Sequence, residues 1–90
     1  MIFPPGLFQH IHMDLIGPLP SSKDHRYILT VIDRFTRWPE TYPLKDIDTK
    51  TISERFVHEH VSRFGIPFNI STDRGIQFES RLFSELCKLL

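Results

Sequence analysis

Asp14 and Asp73 are the residues of this 90-residue chain best placed to do chemistry. Asp14 closes the alternating stretch His10-Ile11-His12-Met13-Asp14, and Asp73 opens the turn Asp73-Arg74-Gly75. Each alone has a plain structural explanation, as a solvated strand end or as the cap of a turn. Brought to one rim they would offer what a hard divalent cation needs. Mg²⁺ takes oxygen ligands at about 2.0 to 2.1 Å and usually keeps several waters and substrate phosphate oxygens. That chemistry suits phosphodiester bonds, and a two-metal version normally requires a third carboxylate to complete both shells. Only two are in view.

Other residues invite further readings. His10, His12 and Asp14 share one face of a period-two strand and make a zinc cluster geometrically feasible, although solvated or half-buried histidines are the commoner outcome. His58 and His60 cannot share a metal on a helix, because residues two apart point about 200° apart. The run Asp33-Arg34-Phe35-Thr36-Arg37-Trp38 mixes cations and aromatics as nucleic-acid surfaces do. In any sheet the same run can pack its aromatics and solvate its arginines, and that bland reading is the stronger one. Arg81 and Lys88 fall on the polar side of the last helix and invite the same caution.

The elements that must position these groups follow from periodicity. Over 8–16 the chain alternates, with Ile11, Met13 and Leu15 on one face and His10, His12 and Asp14 on the other, until Gly17-Pro18 ends the strand. After turn chemistry over 18–25, the β-branched and aromatic run over 27–32 predicts a well-buried second strand. A third, over 37–44, carries Pro39 and Pro43, which a sheet tolerates only at an edge. From Thr49 the period changes: Ile52, Phe56, Val57, Val61 and Phe64 form one helical stripe that Gly65 and Pro67 stop. Thr51 and Glu54 match a capping box there, with Asp48 or Thr49 an equally good cap. Residues 68–72 read as a fourth strand and 73–75 as a turn. Leu82, Phe83, Leu86, Leu89 and Leu90 then define a second amphipathic helix with Ser80 as its cap.

The order is β-β-β-α-β-α, an α/β fold with a mixed sheet. A right-handed crossover sets the fourth strand beside the first, so Asp14 and Asp73 should meet at neighbouring C-terminal strand ends. Leu90 still lies inside an apolar stripe without a stop signal, so the expectation is a chain cut in mid-fold. The fourth strand would then be an unpaired edge and the last helix partly uncovered, with aggregation or partial disorder in isolation.

Bulk properties narrow the classes. One small domain is all that this length can bury. Eleven Lys and Arg against eleven Asp and Glu leave no basic field, so charge neither supports nor excludes DNA. The single cysteine, Cys87, precludes an intrachain disulfide or a cysteine-based zinc cluster, which fits a reducing compartment and a core-filling role. The Pro4-Pro5-Gly6 start reads as a linker over 1–7. No leader or bilayer-length apolar run is present in the sequence, so neither secretion nor membrane insertion is expected.

Four phrases in order carry a family resemblance: His12-Met13-Asp14-Leu15-Ile16-Gly17-Pro18-Leu19-Pro20; Tyr27-Ile28-Leu29-Thr30-Val31-Ile32-Asp33-Arg34-Phe35-Thr36-Arg37-Trp38-Pro39-Glu40; Arg63-Phe64-Gly65-Ile66-Pro67; and Ser71-Thr72-Asp73-Arg74-Gly75-Ile76-Gln77-Phe78-Glu79-Ser80. In these the chain resembles the integrase catalytic core of gypsy-class LTR retrotransposons and, more distantly, of retroviruses. The resemblance implies a ribonuclease H-like fold, here truncated, with residues 8–90 as the first part of the catalytic domain. It further implies that Asp14 and Asp73 are catalytic carboxylates binding Mg²⁺ or Mn²⁺, and that the third acidic residue, a glutamate, lies on a later helix beyond Leu90. Glu79 and Glu85 lie too close to Asp73 to replace it.

The implied activity is DNA integration: with the metal's help, water trims the element's 3′ ends and the resulting 3′-hydroxyl attacks a target phosphodiester. Gly75 and Gln77, and the backbone over 15–17, would touch DNA. The implied partners are the element ends and target DNA, with a homo-oligomer in the full-length protein and no membrane. The implied location is the nucleus, or otherwise the cytoplasm. With two of three metal ligands, activity of the chain alone is expected to be absent or very weak. The alternative is a non-enzymatic remnant or domesticated fragment that binds nucleic acid or protein.

Overall fold

A computed structural model describes residues 6–20 and 24–90. Four strands, β1 (His10–Ile16), β2 (Tyr27–Asp33), β3 (Pro39–Leu44) and β4 (Asn69–Thr72), form one mixed sheet in the order β3-β2-β1-β4. The first three make the expected antiparallel meander, and β4 pairs parallel to β1 after the helical crossover. The proline-bearing strand lies at one edge of this sheet and β4 at the other, as a strand lacking ladder donors requires.

Alternation decides what faces inward. Ile11 and Met13 of β1, Leu29 and Val31 of β2, and Tyr42 and Leu44 of β3 are buried, joined by Ile52, Phe56, Leu82 and Leu86 from the helices. His12 and Asp14 therefore fall on the opposite face of β1. Leu7 and Phe8 already belong to the core, and regular pairing starts only at His10. Of the residues read as a linker, 1–5 lie outside the described residues.

The first helical segment is not uniform. α1 (Thr49–Arg55) passes into a π-helical stretch, Phe56–Val61, and finishes as a short α2 (Ser62–Phe64). Ile52, Phe56, His60 and Phe64 recur every four residues, a spacing that drifts off an α-helical face of 3.6 residues per turn. The wider π turn, marked by the Ser62 N–H donating to the Val57 carbonyl, brings His60 inward with the aromatic residues. Asp48 caps this helix by accepting from the Thr51 N–H at 2.8 Å. This is one of the three starts the sequence offered, and neither Thr49 nor the Thr51–Glu54 box is the cap.

Two expectations need correction. The last helix, α3 (Ile76–Leu89), begins at Ile76 with Gly75 as its cap and no side-chain bond there. Ser80 is inside the helix, because the left-handed Gly75 (φ +96°) turns the chain into it directly. Cys87 is exposed rather than core-filling, since Leu82 and Leu86 occupy the buried stripe of α3.

Candidate metal site and nucleic-acid face

The rim formed by β1 and β4 is set by their register. His12 pairs with Ser71 and Met13 with Thr72, so the next positions along the two parallel strands are Asp14 and Asp73. The sheet thus places Asp14, two residues before the end of β1, beside the turn that carries Asp73 one residue past β4. Both residues are exposed, Asp73 with 86% of its side-chain surface open. Asp14 Oδ1 accepts the Leu15 N–H at 2.9 Å, which fixes the orientation of that carboxylate. Thr30 stands opposite Asp14 on β2 and buries its Oγ1 without a partner among the described residues.

Asp73 is held differently. His12 Nε2 lies 3.5 Å from Asp73 Oδ2, and His12 Nδ1 is 3.1 Å from Ser71 Oγ, which in turn donates to the Ile11 carbonyl at 3.3 Å. Arg74, next in the turn, donates its N–H to Thr72 Oγ1 and places its guanidinium 5.4 Å from the centre of the Phe78 ring. Ser71 and Arg74 were not singled out from sequence. The signal for Ser71 was its position two before Asp73, as His12 is two before Asp14, which puts all four on one face of a parallel pair.

The donor set fits a hard divalent cation: two exposed carboxylates on one rim, with no lysine or arginine bridging them among the described contacts. Among the described residues no group of three or more His, Cys, Asp or Glu is arranged to hold a metal ion. The strand trio His10, His12 and Asp14 therefore does not form the zinc cluster considered from sequence. His10 instead packs edge-on against Phe35 and Phe68, at centroid distances of 5.4 and 5.5 Å. Gly75 and Gln77 are exposed just past Asp73, at the start of α3.

Of the remaining candidates, His60, Asp33 and Trp38 serve the core, and His58, Arg34, Phe35 and Arg37 lie on the surface. His58 is exposed and His60 fully buried, so they point apart as their spacing required. His60 Nδ1 is 2.7 Å from Tyr42 Oη, and burial pushes the imidazole down to about 4, Glu40 opposing and Arg63 adding to that shift. In the run 33–38, Asp33 is buried and accepts from the backbone N–H groups of Phe8, Phe35 and Thr36 and from the Thr36 hydroxyl. Burial pushes the Asp33 carboxyl up, but these four donors outweigh it and hold it below the usual carboxylate value. Trp38 packs half-buried against the core while Arg34 and Arg37 stay solvated, although Phe35 is 76% exposed.

Residues 5–90 match the Integrase core domain family. The chain belongs to the integrase core domain family, whose ribonuclease H-like fold agrees with the mixed sheet described above. It is 28% identical over 82 residues to the Gag-Pol polyprotein of avian reticuloendotheliosis virus, covering 91% of this chain and 7% of that protein. Identity is 31% over 81 residues with the Pol polyprotein of radiation murine leukemia virus, covering 90% and 14%. With the retrovirus-related Pol polyprotein from transposon 412 of Drosophila melanogaster it is 27% over 88 residues, covering 97% and 7%. The chain thus spans only a small part of the length of each of these relatives.

Proposed function

We propose that residues 8–90 are the first part of an integrase catalytic domain of the gypsy class, acting on DNA by divalent-metal-dependent phosphoryl transfer. The observation that carries this reading is the placement of Asp14 and Asp73 at adjoining ends of the parallel β1/β4 pair. The similarity to the transposon 412 polyprotein supports the retrotransposon assignment. Asp14 and Asp73 would hold Mg²⁺ or Mn²⁺, which when bound supplies Lewis-acid activation of water and of phosphate oxygens. Gly75 and Gln77, exposed beside Asp73 at the positively polarised start of α3, would contact the DNA backbone.

The DNA partners on this reading are the element ends and the target. The complete protein would work as a homo-oligomer in the nucleus, with a cytoplasmic stage and no secretion. Two carboxylates without a third converging acid among the described residues leave the 90-residue chain by itself with little or no activity.

Mn²⁺ titration of the purified chain, followed by NMR line broadening, tests the site. Binding in the parent that Asp14→Asn and Asp73→Asn each abolish is the expected result. A folded chain that binds no Mn²⁺, or binds it equally well in both variants, would refute the assignment.

A further inference from the structure

We propose that His12 is a positioning residue for the metal site, holding the Asp73 carboxylate in the orientation that receives a divalent cation. The inference rests on the metal-site reading above and extends it to a residue that is not one of its two carboxylates. Asp14 needs no such help, because its Oδ1 is tied to the Leu15 N–H of its own strand. Asp73 lies one residue beyond the end of β4, in a turn, with a largely open side chain, and its one polar contact among the described residues is His12 Nε2 at 3.5 Å.

The imidazole can act in this way because it is itself fixed. Ser71, its register partner across the parallel pair, sits 3.1 Å from Nδ1 and is anchored to the Ile11 carbonyl. The Ser71 hydroxyl has one proton to share between the Ile11 carbonyl and Nδ1; when it turns to Nδ1, Nε2 is the nitrogen that carries the N–H, which faces Oδ2 at 3.5 Å and leaves Oδ1 for a cation. Hydrogen-bond partners of metal-ligating groups set ligand orientation, and their loss typically weakens metal affinity by about 10- to 100-fold. Ser71 then acts one step further out, through the ring.

The test uses the 90-residue chain, Mn²⁺ as the only probe, and three His12-related variants beside Asp73→Asn. His12→Phe keeps a ring without donors, His12→Gln restores a donor and an acceptor, and Ser71→Ala frees the ring. Amide spectra establish that each variant is folded. A readout independent of metal comes from the Asp73 α–β proton couplings, which report whether its side chain holds one rotamer.

The expected pattern is a single Asp73 rotamer in the parent and averaging in His12→Phe, with Mn²⁺ affinity reduced about tenfold or more. His12→Gln should recover most of both, and Ser71→Ala should fall between. If Asp73→Asn abolishes binding while His12→Phe leaves affinity and rotamer unchanged, the positioning role is wrong and the metal site stands. If Asp73→Asn has no effect on Mn²⁺ binding, both ideas fail together. Direct nitrogen hyperfine coupling between His12 and bound Mn²⁺ would also overturn the proposal, because His12 would then be a ligand.

Discussion

Replacing Asp33 by alanine should destabilise this domain more than any single change at the solvent-exposed rim. Four donors converge on the carboxylate: the Phe8 N–H at 2.9 Å, the Thr36 N–H and hydroxyl at 2.8 Å each, and the Phe35 N–H at 3.3 Å. Both backbone groups of Asp33 are also used, its N–H donating to the Trp38 carbonyl and its carbonyl accepting from Arg37. Two non-glycine residues tied to it, Phe8 (φ +60°) and Arg37 (φ +65°), hold left-handed backbone conformations, which cost on the order of 1 to 3 kcal/mol each and persist only when neighbours enforce them. Asp33→Ala would leave the Phe8 N–H without its partner inside the core, a loss of about 1 to 3 kcal/mol. Thr36 and Phe35 are exposed, so water replaces part of their loss. The sum is about 3 to 5 kcal/mol, a large fraction of the ~5 to 15 kcal/mol of a typical domain. Asp33→Asn keeps one acceptor oxygen and should lose roughly half as much. Because the folded carboxyl is held low, its contribution is complete above the unfolded value near 4 and fades as pH falls through the folded one. Urea unfolding of dilute protein at pH 7 measures the series. A loss below about 1 kcal/mol for Asp33→Ala would refute the claim that this side chain clamps the β2–β3 turn to the segment before β1.

The other expectations are more compact. His60, lowered to about 4 by burial, is neutral in the fold and protonates first in the unfolded chain, so stability should fall as pH drops from about 6.5 to about 4. Thermal melts should show that slope in the parent and lose most of it in a His60→Leu, Tyr42→Phe double variant. Gly17→Ala would push a Cβ to 2.6 Å from the Arg26 carbonyl oxygen at a φ of +137°, and about 2 to 4 kcal/mol should be lost in urea unfolding. Phe68, Ile76 and Phe83, respectively 81%, 80% and 69% exposed, line a groove of about 470 Å³ between β4 and α3. A Phe68→Lys, Phe83→Lys variant should therefore show less concentration-dependent association in sedimentation than the parent, with little change in melting temperature.

Much of the architecture was legible because its signals were local. Alternation at Ile11, Met13 and Leu15, prolines at 39 and 43, and the Gly65–Pro67 stop each specify a strand face, an edge or a helix end by short-range sterics. The crossover rule then sufficed to place β4 beside β1 and the two aspartates on one rim. What escaped depended on one backbone turn and on tertiary packing. Ser80 is a good cap by type, but the turn at Gly75 had already started α3, and Cys87 looked apolar although the stripe through Leu82 and Leu86 turns it outward. The π-helical stretch also follows from packing, since it brings His60 between Phe56 and Phe64 and against Tyr42. Asp33 could pass for part of a polar, nucleic-acid-facing run, because nothing in its neighbours' types announces that four donors will enclose it.

The geometry of the rim is a by-product of burial more than of any interaction at the rim itself. In β1 the inward positions are Ile11 and Met13, and Ile70 of β4 packs against the same core. A one-residue slip of β1 would turn these side chains to the opposite face and drive His12 and Asp14 toward the apolar side, an exchange of core methyl groups for a charge. That penalty fixes which residue of β1 stands beside which residue of β4, and it acts before any cation is present. His12 then pairs with Ser71 and Met13 with Thr72, and Asp14 and Asp73 are the residues that follow the last pair of that register. What the core leaves undetermined is the rotamer of a carboxylate one step past the last strand residue. There the contact from His12 supplies what the backbone supplies for Asp14.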